Sequence, residues 1–381
     1  MIAPHGGKLI NRVASLLDRK KLLGEAKTMP RLVLDNEILK DFHNLAYGTY
    51  SPLTGFVTQK DFESVVRETK LASGLAWSIP ITLDVTAKQA KGLKIGKKIA
   101  LTDEKDTVQG ILNLEEKYSF SKEEYMDKVF TVRNLDHPGV QMVHKMKPVL
   151  LGGPITLLYD DKPWFADYYM TPQETRERFQ ALKLSTVAGF QTRNAPHRGH
   201  EHIQKAALSE VDGVFIHPVI GEKKPGDFKD EVIIAAYQAL IKNYYPKTRT
   251  VFSVWPVKMK YAGPREAVMH AIVRKNHGCT HHIVGRDHAG IGGYYGLYAS
   301  QEIFDEVEDT GVHILRYNEV AYCYACEKTV FQKDCPHGQD KHYKISGTKL
   351  REFISLKKMP PQELCRPEVA EVLLSYDQPF V

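Results

Sequence analysis

Apolar positions along the chain change rhythm near residue 170. Before it, short apolar runs alternate with turn residues: ITLDVT at 81–86, KKIALT at 97–102 and PVLLGGPITLL from Pro148. That pattern predicts a β-rich unit over residues 1–168 with few long helices. PQETRERFQAL, after Thr171, reads as a charged helical connector. Strand and helix patterns then alternate: LSTVAGF (184–190), EHIQKAALSEV with Ile203, Ala206, Ala207 and Val211 at helical spacing, GVFIHPVI (213–220), KDEVIIAAYQALIKNYY (229–245), TVFSVWPV (250–257), PREAVMHAIVRKNHG (264–278), HHIVG (281–285), a helix around SQEIFDEVED, and VHILRY. The alternation predicts an α/β unit over residues 169–322, a parallel sheet covered by helices on both faces, with ligands beyond the carboxyl ends of its strands. Residues 323–381 form a third, small region with a cysteine cluster and two short helical patterns, SGTKLREFISL and PEVAEVLLSY.

Composition narrows the partners. With 43% hydrophobic and 26% charged residues the chain can bury a core, which excludes wholesale disorder. A net charge of +6 is too small over 381 residues for a surface built to meet a polyanion, so no nucleic-acid partner is expected. No stretch is long and apolar enough to span a bilayer, and MIAPHGGKLINRVASLL lacks the order of a secretory signal, so no membrane partner and a cytoplasmic location are expected. Three of the five cysteines crowd between Cys323 and Cys335, which fits a metal site in a reducing compartment better than a disulfide framework.

Two polar clusters follow predicted strands. QTRNAPHRGHEH, residues 191–202, stands between an apolar strand and a helix start, where unpaired N–H groups and the helix dipole favour an anion. Arg193, His197, Arg198 and His200 add donors and charge, and His197 and His200, three apart, share a side. A bare H-x-x-H serves metal binding or a solvated turn equally well; Gln191, Arg193 and Asn194 directly upstream tilt it toward an oxyanion grip, since an arginine fork binds oxyanions bidentately. In GRDHAG, residues 285–290, Arg286 can pair with an anion, Asp287 can buttress a cation, and Ala289 and Gly290 let a backbone N–H approach a ligand. Taken singly, Asp287 reads as a helix cap and His288 as a helix-end or core residue.

CYACEKTVFQKDCPHGQDKH has C-x₂-C-x₈-C spacing followed by His337 and His342, a tetrahedral zinc pattern with a structural role. Cys323, Cys326 and Cys335 supply three ligands. His342 is expected as the fourth, with His337 the alternative, because Cys335 and His337 are only two apart and crowd one metal. Cys279 and Cys365 read as core or surface residues.

QTRNAPHRGHE, KYAGPREAVMHAIVRKNHG and HHIVGRDHAG, together with PHGGKL, GTYSPLTGFV, YYGLYASQEIF and SGTKLRE in the same order, resemble the ATP sulfurylase family over nearly the whole chain, in its single-function form without a kinase domain. The GxxxxGK[ST] phosphate loop is absent from the sequence. The resemblance implies a Rossmann-like nucleotidyltransferase domain preceded by a PUA-like domain, and transfer of AMP from ATP to sulfate, giving adenosine 5′-phosphosulfate and pyrophosphate, or the reverse step making ATP. It implies that Gln191 and Arg193 hold sulfate with the backbone N–H of Ala289. The same two residues with Asn194, His197, His200, Gly285, Arg286, Asp287, His288 and Val320 would bind ATP, Arg286 beside the α-phosphate and Val320 on the adenine side. Thr192 lies within the motif as a neighbour of the phosphates or a shaper of the turn. Mg²⁺ on the nucleotide, a zinc in some members, and a homodimer complete the implied picture. Two positions depart from many relatives: Ala195 intervenes between the motif asparagine and Pro196, and Gly293 replaces an acidic residue.

Two other readings compete. An adenylyltransferase for another acceptor would need a roomier pocket than Gln191 and two arginines suggest. An RNA-binding module using the zinc knuckle would need a basic face that the net charge does not suggest.

Overall fold

The computed structural model describes residues 2–381. In the front part, the strand Val149–Leu157 is the hub of a seven-stranded, mostly antiparallel sheet; Val108–Asn113, Gly55–Phe56, Asp84–Val85 and Glu116–Ser119 all pair with it. Lys98–Thr102 and Arg31–Val33 extend the sheet beyond Val108–Asn113. This region holds more helix than its turn-rich sequence predicts: Leu16–Ala26, Asn36–Ala46 and Gln59–Glu68 are helices of ten or eleven residues. Asn36–Ala46 is started by Asp35, whose side chain accepts from the N–H groups of Glu37 and Ile38, and its buried Leu39, Phe42, Leu45 and Ala46 recur at helical spacing.

The α/β region alternates strand and helix as predicted, except that the helix expected around SQEIFDEVED is a single turn, Ala299–Glu302, followed by a 3-10 turn, Ile303–Asp305. Its elements are numbered from the first strand of this sheet: β1 (Val187–Thr192), α1 (Arg198–Glu210), β2 (Gly213–Ile220), α2 (Asp230–Tyr244), β3 (Thr250–Phe252), α3 (Pro264–Asn276), β4 (His281–Val284) and β5 (His313–Arg316). The strands are parallel and lie in the order β3-β2-β1-β4-β5. β2 is buried along its whole length, as a central strand covered on both faces must be. α3 begins on Pro264 and is buried on nearly every side, so it lies inside the molecule.

TVFSVWPV is not one strand. It divides into β3 and Trp255–Pro256, both paired with β2, because the linker between the two parts docks at the break: Met170 N–H donates to Ser253 Oγ (2.8 Å) and Val254 N–H to the Tyr168 carbonyl (3.1 Å). Asn44 of the front part then bonds Trp255 Nε1 and the Pro256 carbonyl. One apolar core accordingly runs from the front sheet into Val219, Trp255, Met259 and the inner face of α3. A second core joins β1, α1 and α2 to two terminal helices, α4 (Gly347–Ser355) and α5 (Pro367–Ser375), through Leu350, Ile354, Val369 and Leu373. Between α/β sheet and terminal helices lies a small antiparallel sheet, β6 (Val320–Cys323), β7 (Lys328–Phe331) and β8 (His342–Lys344).

Candidate functional site

The chain leaves β1 toward β2 on one side and later returns to β4 on the other. A crevice is therefore left at the carboxyl ends of β1 and β4, where loops diverge. A cavity of 340 Å³ fills it. Gln191, Thr192, Arg193, Asn194, His197 and His200 line it from the β1 side, Gly285, Arg286, Asp287, His288 and Ala289 from the β4 side, and Val320 from the start of β6. The two polar clusters are thus one site.

On the β1 side, His197 is the N-cap of α1: its Nδ1 accepts from the N–H groups of Gly199 (3.1 Å) and His200 (3.3 Å). Those two bonds require an unprotonated Nδ1 and put the ring proton on Nε2, a ready donor. The His200 ring stacks on His197 with centroids 3.8 Å apart, and its buried Nδ1 has no partner among the described residues. Burial lowers the pKa of His197 to about 4, with Arg351 pushing the same way, and holds that of His200 well below the ordinary imidazole value. Burial keeps both rings neutral, and His197 Nε2–H is free to donate. Thr192 Oγ1 accepts from Asn194 N–H (3.1 Å), so its hydroxyl shapes the turn. Arg193 lies over the Tyr261 ring, reaches the Gly290 carbonyl (3.4 Å), and keeps a buried Nε without a partner. Gln191 touches Met259 Sδ at 3.6 Å.

On the β4 side the backbone is bent to present donors. Asp287 (φ +52°) and Ala289 (φ +56°) both sit in the left-handed region, which side chains resist. A Cβ at Gly290 would lie 2.1 Å from Asp287 Oδ1, so glycine there lets the Asp287 side chain fold over the turn. The Ala289 N–H makes no hydrogen bond among the described residues. Burial pushes the Asp287 carboxyl up, against the pull of Arg286 and Arg193. Arg286 is 3.8 Å from Glu319. His288 borders the cavity, but its ring turns inward to His270 (3.0 Å).

Sequence reasoning missed the third wall. Ser346, Gly347, Thr348 and Arg351, from the first turn of α4, also line the cavity, so a second helix amino terminus faces it. Arg351 Nη1 donates to Asn194 Oδ1 (3.0 Å), which leaves the Asn194 amide N–H groups for a ligand. SGTKLRE held the clue: a Ser N-cap, then an arginine one turn into the helix. Three arginines, two helix starts and orphaned buried donors make the cavity an anion site.

The cysteine cluster is closed by His337, which corrects the expected His342. Nδ1 of His337 lies 3.5, 3.2 and 3.7 Å from the sulfurs of Cys323, Cys326 and Cys335. The single turn Gln332–Asp334 precedes the pair, and Cys335 and His337 converge to 3.7 Å although only one residue separates them. His342 pairs with Cys323 across β6 and β8, but its ring nitrogens stay outside the cluster and have no partner among the described residues. Zn–S and Zn–N bonds of about 2.3 and 2.0 Å imply ligand edges of roughly 3.5–3.8 Å in a tetrahedron; the three edges to His337 and the Cys326–Cys335 edge run from 3.2 to 3.9 Å, and all four ligand atoms lie within 4.8 Å of one another.

Comparison with known proteins adds the following. The model of the ATP-sulfurylase family matches residues 166–376, and that of a PUA-like domain matches residues 2–160. A protein named sulfate adenylyltransferase from Hyperthermus butylicus is 47% identical over 99% of this chain and 97% of its own length. One of the same name from Staphylothermus marinus is 49% identical over 99% of each. The solved structure described as a hexameric APS kinase from Thiobacillus denitrificans shares the fold, with a TM-score of 0.77 at 23% identity over 98% of this chain and 68% of that one.

Proposed function

The chain belongs to the ATP sulfurylase family, and from that premise we propose that AMP passes from ATP to sulfate in the cavity between β1 and β4, on the residues that line it. The overall reaction is that of a sulfate adenylyltransferase: ATP and sulfate give adenosine 5′-phosphosulfate and pyrophosphate. Gln191, Arg193 and the Ala289 N–H hold sulfate. Asn194, His197 and His200 grip the phosphates of ATP at the start of α1, with Arg351 orienting Asn194. Arg286 neutralises the α-phosphate, Gly285, Asp287 and His288 form the wall behind it, and Val320 meets the adenine.

A sulfate oxygen attacks the α-phosphorus as the bond to the β-phosphate oxygen breaks, and its electron pair leaves with pyrophosphate. Sulfate is fully ionised at neutral pH, so no general base is required. The obstacle is repulsion between two anions, which the arginines, neutral histidine donors and helix starts lower by positioning and charge stabilisation. The nucleotide would be bound as its Mg²⁺ complex, whose charge would add to that neutralisation. One observation supports this reading above the rest: two chemically distinct anion grips, each at the end of a parallel strand, open into one 340 Å³ cavity with an unpartnered buried donor at Arg193 Nε.

Cys323, Cys326, Cys335 and His337 would hold a structural zinc, since four protein ligands would leave no open position for a substrate. The homodimer of this reading rests on the family resemblance and the cytoplasmic location on the sequence expectation; no described helix is long and apolar enough to cross a membrane. The test is sulfate-dependent pyrophosphate release from Mg·ATP by the purified protein. Wild type releases it, and Arg193→Ala raises the sulfate KM by at least about 100-fold, as expected on losing a buried charge-assisted contact. An unchanged sulfate KM in that variant overturns the assignment.

A further inference from the structure

Tyr261 stands outside every role given so far, yet the turn that carries it is built with unusual care. Its backbone is left-handed (φ +58°), a conformation a bulky side chain resists. The carboxylate of Glu266 clasps the turn on both sides, accepting from Lys260 N–H at Oε1 (2.9 Å) and Ala262 N–H at Oε2 (3.0 Å). His137 Nε2 donates to the Tyr261 carbonyl (3.0 Å), with its Nδ1 spent on capping another helix. Gly263 ends the turn at φ +50°, where a Cβ would strike the Tyr295 ring at 2.5 Å, and its N–H donates to the Ala289 carbonyl (3.2 Å).

What the turn presents is the aromatic face. The Arg193 guanidinium carbon is 5.0 Å from the centre of the Tyr261 ring, within cation–π range. The buried Tyr261 hydroxyl lies near the Lys224 backbone N–H without a well-formed hydrogen bond to any described residue, so the ring is what meets Arg193. One rigid turn therefore touches both groups assigned to sulfate: Arg193 through the ring and Ala289 through Gly263.

We propose that Tyr261 is a positioning residue that sets specificity for the oxyanion, fixing the height of the Arg193 guanidinium relative to the Ala289 N–H and so the size of tetrahedral anion that fits between them. The proposal rests on the assignment of Arg193 and Ala289 to sulfate. Without the ring, Arg193 gains freedom; a small anion loses its fixed fork, while a larger one, such as molybdate, loses less.

The experiment measures KM for sulfate and for ATP, pyrophosphate release with sulfate against molybdate, and melting temperature, in Tyr261→Met, Tyr261→Phe, Glu266→Gln and Arg193→Ala. Tyr261→Met is expected to raise the sulfate KM about thirtyfold, the worth of a desolvated cation–π contact. It leaves the ATP KM within about twofold and shifts the molybdate-to-sulfate preference toward molybdate by a similar factor. Tyr261→Phe, which keeps the ring, restores the wild-type values. Glu266→Gln moves the sulfate KM in the same direction, and decides the matter should Tyr261→Met fail to fold, because an amide cannot accept from both N–H groups. Equal changes in both KM values, or none, overturn the proposal; with Arg193→Ala still crippled toward sulfate, the sulfate assignment survives that result. An unchanged sulfate KM in Arg193→Ala overturns both.

Discussion

His197 does two jobs that one substitution can separate. Its Nδ1 caps α1 while its Nε2–H faces the cavity. Asparagine is among the best N-caps, whereas alanine at such a position costs typically ~1 kcal/mol. His197→Asn should therefore melt close to wild type yet raise the ATP KM by about tenfold or more, since a hydrogen bond to a charged group contributes roughly 1.5–3 kcal/mol. His197→Ala should lower both stability and ATP affinity; thermal melts and initial rates on the two variants check this, and an ATP KM left intact in His197→Asn contradicts the donor role. Residues such as His197, Arg193 and Arg286 were legible because they lie in unbroken motifs directly after apolar strands. Arg351 and Tyr261 were not: each reaches the site from an element distant in sequence, and tertiary packing alone brings Arg351 to Asn194 and the Tyr261 ring beneath Arg193.

Among elements, the small sheet β6–β8 shows where spacing stops being informative. Counting residues between cysteines locates a metal cluster, but the choice between His337 and His342 depends on how the chain folds back between β7 and β8, which spacing does not encode. The geometry predicts that His337→Ala purifies without stoichiometric zinc and melts at lower temperature, because metal binding is coupled to folding of its ligand loops. His342→Ala, by contrast, keeps its zinc. Elemental analysis of both proteins decides, and full zinc content in His337→Ala refutes the ligand set. The front helices were obscured for a different reason. In DNEILKDFHNLA the Asp35 cap and the period-3.6 burial are both present, but the surrounding strands and turns dominate the pattern. The long runs of β2, α2 and α3 are read correctly within a residue or two, because a central parallel strand and core-facing helices leave no competing period.

The whole molecule places its positive charge and its histidines differently. Arginines gather at the crevice to meet two anions, while the histidines are mostly folded into the interior. Twelve histidines have pKa values lowered chiefly by burial, among them His43 to about 3 and His197 to about 4, with His200, His217, His270, His277, His282 and His288 well below the ordinary value. Several share one interior cluster: His270 bonds His288, His282 crosses His288, and His217 crosses His277 beside the buried Arg274. Protonating any one of them adds charge next to an arginine or another imidazole. The sign follows directly. Each folded pKa lies below the unfolded value of about 6.5, so between the two the unfolded chain binds a proton that the folded chain refuses. Stability is full above about pH 6.5 and is lost as pH falls toward the folded values, at up to about 1.4 kcal/mol per pH unit for each such histidine. A handful titrating together would remove most of a stability of about 5–15 kcal/mol within one or two units. Melting temperature should therefore hold steady from pH 9 to about 7 and drop steeply between about 6.5 and 5. Substituting the His282 and His288 pair with asparagine should make that drop shallower by about two protons' worth of slope, and a melting temperature that stays level down to pH 5 would mean that the cluster accepts protons in the folded state.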